Sequence, residues 1–452
     1  MDRLANLGSD VTSETHRRVA IIGGGYAGMA AAVSLAERSI PSTLFEAGKV
    51  LGGRARRVDY RGEIIDNGQH ILSGAYCELL RLMALVGVTN DAVVRIPLTL
   101  SMPPHFSLIA PRWIAPFHVL WALLSAKGLA FSDRLAAVRF MYTLKQEKFL
   151  VSAADTVAAL LATHQQSDRL IQYLWQPLTI SALNTPIATA SAQVFVNVLR
   201  DALAAGNAAS DLILPRTDLS ALFPDVAATW LATHGSGINR GQRVKSVRVA
   251  DNVFQLDTDV GEATFDAVIV AIGPHQFDSI ALPHFDASAP FAYEPITTIY
   301  LKFDQRVRLN RPMFGQVKGT AQWFFDRRQL GATDPASTQG DGLIAAVISA
   351  SGPHEAMSQE QLTASVLIEL TSHTGPLPPL AWHKVIAEKY ATFACTPYIQ
   401  PRRPAILTTT PGLFLTGDYT VGDYPATLEG AVRSGIQAGT HAARYLSKPG
   451  PS

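Results

Sequence analysis

The sequence predicts an α/β fold in which a Rossmann-like domain is interleaved along the chain with a second, α+β domain of helices and antiparallel sheet. Three observations predict it. Val19 to Gly28, VAIIGGGYAG, reads as a buried apolar strand that breaks into glycines and runs on into a helix, AGMAAAVSLAER. Ser42 to Ala47, STLFEA, reads as a second strand ending on the acid Glu46. Far downstream, Asp266 to Ile272 and Leu413 to Thr416 are short apolar runs, each closed by a glycine.

The first stretch carries the chemistry. Gly23, Gly25 and Gly28 fit G-x-G-x-x-G: the first permits a tight turn, the second lets backbone approach a pyrophosphate, and the third lets helix and strand pack closely. Phosphates then sit on the helix N-terminus, where unpaired N–H groups and the positive dipole end favour anions. Glycine-rich turns also occur for packing alone, so the order of elements decides. Glu46 lies eighteen residues past Gly28, close to the spacing of an acid that accepts ribose hydroxyls. Strand, glycines, helix, strand and acid in that order predict a dinucleotide site.

At 452 residues the chain suits two intertwined domains. Its apolar share of 48% and charged share of 17% describe a globular, greasy protein, and a net charge of +1 gives no reason to expect nucleic acid as a partner. Two cysteines, Cys77 and Cys395, argue against a disulfide framework and suit a reducing cytoplasm. Cys395 as a covalent flavin link is the lesser reading beside an ordinary buried thiol. Residues 1–16 lack the apolar core of a secretion signal and read as a loose leader. The greasiest stretch, Phe106 to Ala130, is interrupted by Pro111, Arg112, Pro116, His118 and Lys127. It is too broken to span a membrane and reads either as an interfacial helix anchored by Trp113 and Trp121, peripheral on the inner face of the cell membrane, or as a core helix.

The remaining elements follow in order. Gly52-Gly53-Arg54 is a flexible loop ending in a guanidinium suited to a phosphate or flavin edge; a solvated basic run with Arg56 and Arg57 is the plainer reading. Asp66-Asn67-Gly68-Gln69-His70 reads as a polar turn, which Asp66 organises. From Ala75 to about Arg200 the pattern is mainly helical, and 206–224 is loop-rich. RVKSVRVADNVFQLDTDVGEATFDAVIVAIGP alternates like a small antiparallel meander, and ITTIYLKF, AQWFFD and GLIAAVIS supply strands of the second domain, with a helix near Gln359 to Thr371. The boundaries expected are 17–75, 230–285 and 390–448 for the nucleotide domain, and 76–229 and 286–389 for the substrate domain.

At the C-terminus Gly417-Asp418 follows a strand, and Tyr424-Pro425-Ala426-Thr427-Leu428-Glu429-Gly430-Ala431 opens a helix of small residues. Together with Gly23 to Gly28, Glu46, Gly52-Gly53-Arg54 and VIVAIGP, this resembles the FAD-dependent amine oxidase and phytoene desaturase superfamily across nearly the whole chain. More narrowly, DNGQHILSGAY and GDYTVGDYPATLEGAVRSG are similar to the squalene-associated branch, the hydroxysqualene dehydroxylases. The resemblance implies a glutathione-reductase/amine-oxidase type of FAD domain. It implies FAD contacts at Gly23, Gly25, Tyr26, Ala27 and Gly28, at Glu46 and Ala47, at Gly53 and Arg54, and at Asn67, Gly68 and Gln69. It further implies contacts at Val244, whose backbone would pair with adenine, at Gly417 and Asp418 beside ribitol and pyrophosphate, and at Ala426, Thr427 and Leu428 beneath the flavin pyrimidine. Glu429 reads as a ribitol ligand or as an acid favoured by the helix dipole.

The activity implied is reduction of an allylic C–OH in a long apolar isoprenoid, on a route to squalene and hopanoids. No second nucleotide fingerprint follows Ala75, so a separate electron donor is expected. Such chemistry needs an acid and a dry pocket. His70 is the first candidate, as acid or to place the hydroxyl, because imidazole titrates near neutrality; a hydrogen bond to backbone is its plainer role. Asp423 and Tyr424 are alternatives, with a helix cap and a pocket wall as their plainer roles. The resemblance leaves room for a carotenoid-type desaturase, for an amine oxidase caged by Tyr419 and Tyr424, and for a prenyl-binding carrier that has lost its flavin.

Overall fold

The computed structural model describes residues 18–250, 253–283, 291–331 and 340–447; the expected leader lies outside them. A five-stranded parallel sheet runs in the order Gly237–Arg240, Ser42–Glu46, Val19–Ile22, Ala267–Val270, Leu413–Leu415. Four apolar residues in each of two central strands suit burial on both faces. Val19 and Ile21 pack among helices on one side, while Ala20 and Ile22 meet the three-stranded meander Val244–Ala250, Val253–Thr258 and Gly261–Phe265 on the other. Ile22 stands level with Phe45 and Val270, so the three strands end together and open onto one crevice.

The first helix, Tyr26–Ala36, is buried along its whole length and rests on the last, Leu428–Leu446. Contact is backbone to backbone. A Cβ on Gly435 would lie 2.2 Å from the Ala27 carbonyl oxygen, and one on Gly439 would lie 2.9 Å from that of Ala31. The two ends of the polypeptide are thereby sealed into one unit.

The second sheet is antiparallel, in the order Met313–Gly315, Trp323–Asp326, Leu343–Ser349, Tyr293–Phe303, Leu380–Phe393. Its outer face is covered by Gln359–Thr374, which Ser358 starts with a capping box to Gln361. Its inner face, including Tyr300, Trp323 and Phe325, packs on helices that carry Trp175 and Phe195.

The helical reading of 75–200 needs correction at its start. Val93–Ile96, Thr99–Met102 and Phe106–Ile109 are strands, the last two forming a hairpin. VVRI, TLSM and FSLI are too short for helices, and Pro97, Pro103 and Pro104 cut the pattern between them. Within the loop-rich 206–224, Leu212–Pro215 pairs antiparallel with Val93–Ile96. Phe106 to Ala130 is therefore a strand, a loop and the helix Phe117–Ser125 rather than one helix. Among the described residues no helix is long and apolar enough to cross a membrane.

Candidate active site

The crevice at the strand ends deepens into a cavity of about 830 Å³ that continues between the two sheets. Gly23 and Gly25, with Tyr26 and Ala27 at the start of the first helix, form its floor. That helix starts at Gly25 with no side chain capping its amides, so these donors remain for a ligand. A Cβ on Gly28 would lie 2.0 Å from the Gly23 carbonyl oxygen, so Gly28 fixes the turn by packing. A Cβ on Gly25 would meet nothing nearer than Gly53 Cα at 3.8 Å, so here the missing side chain leaves space rather than contact. Gly53 and Gly52 face this turn, and Gly52 N–H donates to the Gly24 carbonyl at 2.9 Å.

Glu46 ends its strand at the rim, next to Ala47. Gly24 N–H and Gly48 N–H each donate to one of its carboxylate oxygens at 2.7 Å, which holds the group in one orientation and leaves lone pairs for hydroxyls. Val244, at the start of the meander, is buried and lines the same end.

On the opposite wall, Arg54 donates to Asp418 at 2.7 Å and to the Ala391 carbonyl at 2.7 Å. This replaces the solvated basic run: Arg57 likewise pairs with Asp225 at 2.9 Å. Asn67, Gly68, Gln69 and His70 line the cavity beside them. The turn is clamped from beneath, since Gln69 accepts from Arg327 at 2.8 Å and Leu219 N–H donates to Asp66 at 2.8 Å. Burial lifts the Asp66 carboxyl to about 6 although Arg327 lies 3.9 Å away.

His70 Nδ1 lies 2.6 Å from the Gly68 carbonyl, which can only accept, so Nδ1 carries the proton and Nε2 presents a lone pair. Burial pushes the imidazole below its usual pKa, and the Arg54 charge adds to this against the Gly68 bond. The backbone hydrogen bond expected as the plainer role of His70 is present, and the lowered pKa works against a standing acid.

The C-terminal segment closes the site. Gly417, Asp418, Ala426, Thr427 and Leu428 line the cavity, and Thr427 caps the helix by accepting from Gly430 N–H at 3.1 Å. That cap starts the helix at Leu428, three residues after Pro425. Asp423 is corrected on both counts: it is exposed, outside the cavity lining, and caps nothing. Tyr424 lines the cavity, and its hydroxyl donates to Asp201 at 2.9 Å, which with burial raises its pKa and makes it a weak acid. Glu429 is corrected as a ribitol ligand, while its other reading, an acid in the first turn of the helix, holds. It is fully buried and accepts from the amides of Glu78 and Leu79 at 3.1 and 2.9 Å while Arg433 pairs with it at 2.6 Å, so it ties the helix start Cys77–Leu85 to the C-terminal helix.

Asp201 and Glu388 escaped the sequence reading. Asp201 lies in a π-helical turn, Arg200–Ala204, that carries it into the lining, and no motif marks it. Glu388 accepts from Asn67 at 3.1 Å across the cavity. Tyr419 and Tyr424 do not form an aromatic cage among the described residues: Tyr419 packs edge-on against Phe277 and Phe291, and Tyr424 lies under Arg433. Cys395 is buried away from the lining, with its thiol pushed up to about 12, which sets the covalent link aside.

The pattern of the flavin containing amine oxidoreductase family matches residues 26–442. The chain belongs to this family. The residues fit FAD: a glycine cradle, an oriented Glu46 and, among the described residues, amides without a side-chain cap and a buried Tyr419 hydroxyl that lines the cavity without a hydrogen-bond partner. The enzyme is an FAD-dependent oxidoreductase, which displaces the reading as a flavin-free carrier. Over 437 residues it is 28% identical to a hydroxysqualene dehydroxylase of Sinorhizobium fredii, covering 93% of this chain and 97% of the relative. A zeta-carotene desaturase of Synechocystis is 24% identical over 470 residues, covering 93% and 96%. An oxidoreductase structure from Methanosarcina mazei superposes with a TM-score of 0.71 at 15% identity, covering 93% of this chain and 99% of the other, and so shares its fold.

Proposed function

We propose that this oxidoreductase acts on a long apolar isoprenoid and removes an allylic hydroxyl, converting hydroxysqualene to squalene with electrons from a separate donor. The observation that carries the reading is the second branch of the cavity. Beyond the cofactor end it is lined by Leu98, Leu100, Leu178, Val198, Leu199 and Phe325, a wall that suits a hydrocarbon. The similarity to a hydroxysqualene dehydroxylase over nearly the full length of both chains supports the same substrate class.

In such a reaction the C–O bond breaks as water leaves with one proton drawn from the medium, and a C–H bond forms on the same carbon. Bound FAD, once reduced by two electrons, supplies the hydride. The chain supplies the rest. His70 Nε2 accepts from the substrate hydroxyl and fixes its position, and the apolar lining holds the flanking chain and limits the water beside the electron-poor carbon.

The similarity to a zeta-carotene desaturase favours one second reading, oxidation of an isoprenoid C–C bond in the same cavity. Anaerobic mixing of the dithionite-reduced holoenzyme with hydroxysqualene separates the two. Return of the oxidised flavin spectrum together with squalene is expected; a spectrum that stays reduced and a substrate recovered unchanged would overturn the dehydroxylation.

A further inference from the structure

Between Ile109 and Tyr142 two neighbouring helices turn large apolar side chains outward. Phe117–Ser125 buries His118, Val119, Ala122 and Leu123 and leaves Phe117 and Trp121 in solvent. The loop before it adds Trp113, whose ring lies 5.3 Å from that of Trp121, and Ile114, which is 74% exposed. Phe131–Gln146 buries Ala137, Phe140 and Leu144 but exposes Phe131, Leu135 and Tyr142 along one stripe. Single exposed apolar residues are ordinary, whereas so many within one packed unit mark a surface that meets something.

Charge says what it meets. Residues 109–148 contain six basic side chains (Arg112, Lys127, Arg134, Arg139, Lys145 and Lys148) against the acids Asp133 and Glu147, a formal +4 where the whole chain carries +1. Arg112, Lys127 and Arg139 are exposed alongside the aromatic groups. Indole rings with an apolar body and one polar N–H, flanked by cations, match the boundary between acyl chains and anionic headgroups. The surface also adjoins the cavity. Exposed Ile109 pairs in register with Thr99, and Thr99 and Leu100 on that partner strand line the apolar branch.

We infer that this face docks on an anionic lipid surface, with Trp113, Ile114, Phe117 and Trp121 entering the interface and the basic side chains lying over the headgroups. The docking surface stands on its own exposure and charge and does not rest on the identity of the substrate. One relation joins it to the cavity: the hairpin that carries exposed Ile109 also carries the lining residues Thr99 and Leu100.

Sedimentation of the holoenzyme with vesicles tests the inference, using phosphatidylglycerol–phosphatidylcholine mixtures against phosphatidylcholine alone. The protein is expected to pellet with the anionic vesicles, about tenfold more strongly than with neutral ones, and to be released by about 0.5 M salt. Trp113→Ser with Trp121→Ser should weaken pelleting about tenfold while flavin absorbance and thermal unfolding stay unchanged. Should that pair fail to fold, Arg112→Glu with Lys127→Glu is an independent test and must weaken pelleting on anionic vesicles. Wild-type protein left in the supernatant with both vesicle types would overturn the inference. So would a concentration-dependent dimer that the tryptophan variant dissociates, because the face would then belong to a second copy of this chain.

Discussion

Arg54 and Asp418, 364 residues apart in the chain, meet at 2.7 Å and join the second glycine loop to the C-terminal strand end. The Asp418 side chain is 8% exposed and that of Arg54 35%, so the pair is worth more than a surface bridge and less than a fully buried one. Asp418→Asn is expected to lower thermal stability by about 1–2 kcal/mol. It should weaken FAD retention as well, read as the flavin-to-protein absorbance ratio after dialysis. A variant as yellow and as stable as the parent would show that the contact holds neither.

Two glycines of the same turn should respond oppositely to one added methyl group. Gly25→Ala has room, since its Cβ would meet Gly53 Cα only at an ordinary contact distance of 3.8 Å, so the protein should fold with its parent melting temperature but lose FAD affinity by about tenfold or more. Gly28→Ala forces a Cβ to within 2.0 Å of a carbonyl oxygen and should cost about 1–3 kcal/mol, with or without cofactor. Apo-protein melting curves beside FAD titrations separate the two.

His70→Phe removes the lone pair proposed to hold the substrate hydroxyl, for a loss of roughly tenfold in kcat/KM. Because burial lowers the imidazole pKa, the ring is neutral at pH 7 and loses its acceptor only below its ordinary value of 6.5. The parent profile should therefore carry an acid limb below pH 6.5 that the Phe variant lacks. An identical limb in both proteins would remove His70 from the reaction.

Asp66 gives a stability signature with a definite sign. Its carboxyl is raised from 3.8 to about 6 in the fold, so between those values the native state binds more proton than the unfolded chain. Stability from this group is full below pH 4 and declines as pH rises to about 6, by about 3 kcal/mol in all. Asp66→Asn keeps an oxygen for the Leu219 amide and cannot ionise, so its unfolding free energy should fall less over that window. Equal slopes in urea melts of the two proteins would contradict the assignment.

What the sequence revealed about this site is mostly what is written within short spans of chain. The turn from Gly23 to Gly28 and the strand ending at Glu46 are contiguous, and spacing alone carries their geometry. Gly417-Asp418 was placed by the family resemblance rather than by spacing, and it lines the cavity. Glu429 was not legible, because its partners are the amides of Glu78 and Leu79, some 350 residues away, and an acid at a helix start looks alike whether it binds sugar or amide. Asp201 depends on a π-turn that no residue pattern announces, and the clamp of Arg327 on Gln69 spans 258 positions. The strands at 93–109 were missed because four-residue runs cut by proline carry too little periodicity to outweigh their helical neighbours.

The close seat of Gly435 and Gly439 on the opening helix also bears on how the protein is made. All eleven residues of Tyr26–Ala36 are covered in the finished molecule, and much of that cover lies about 400 residues later in the chain. At ordinary elongation rates the greasy opening segment waits roughly 20–80 s for its partner. During that interval the apolar segment lacks its cover, and the cradle for the cofactor is complete only once residues 417–428 have been made.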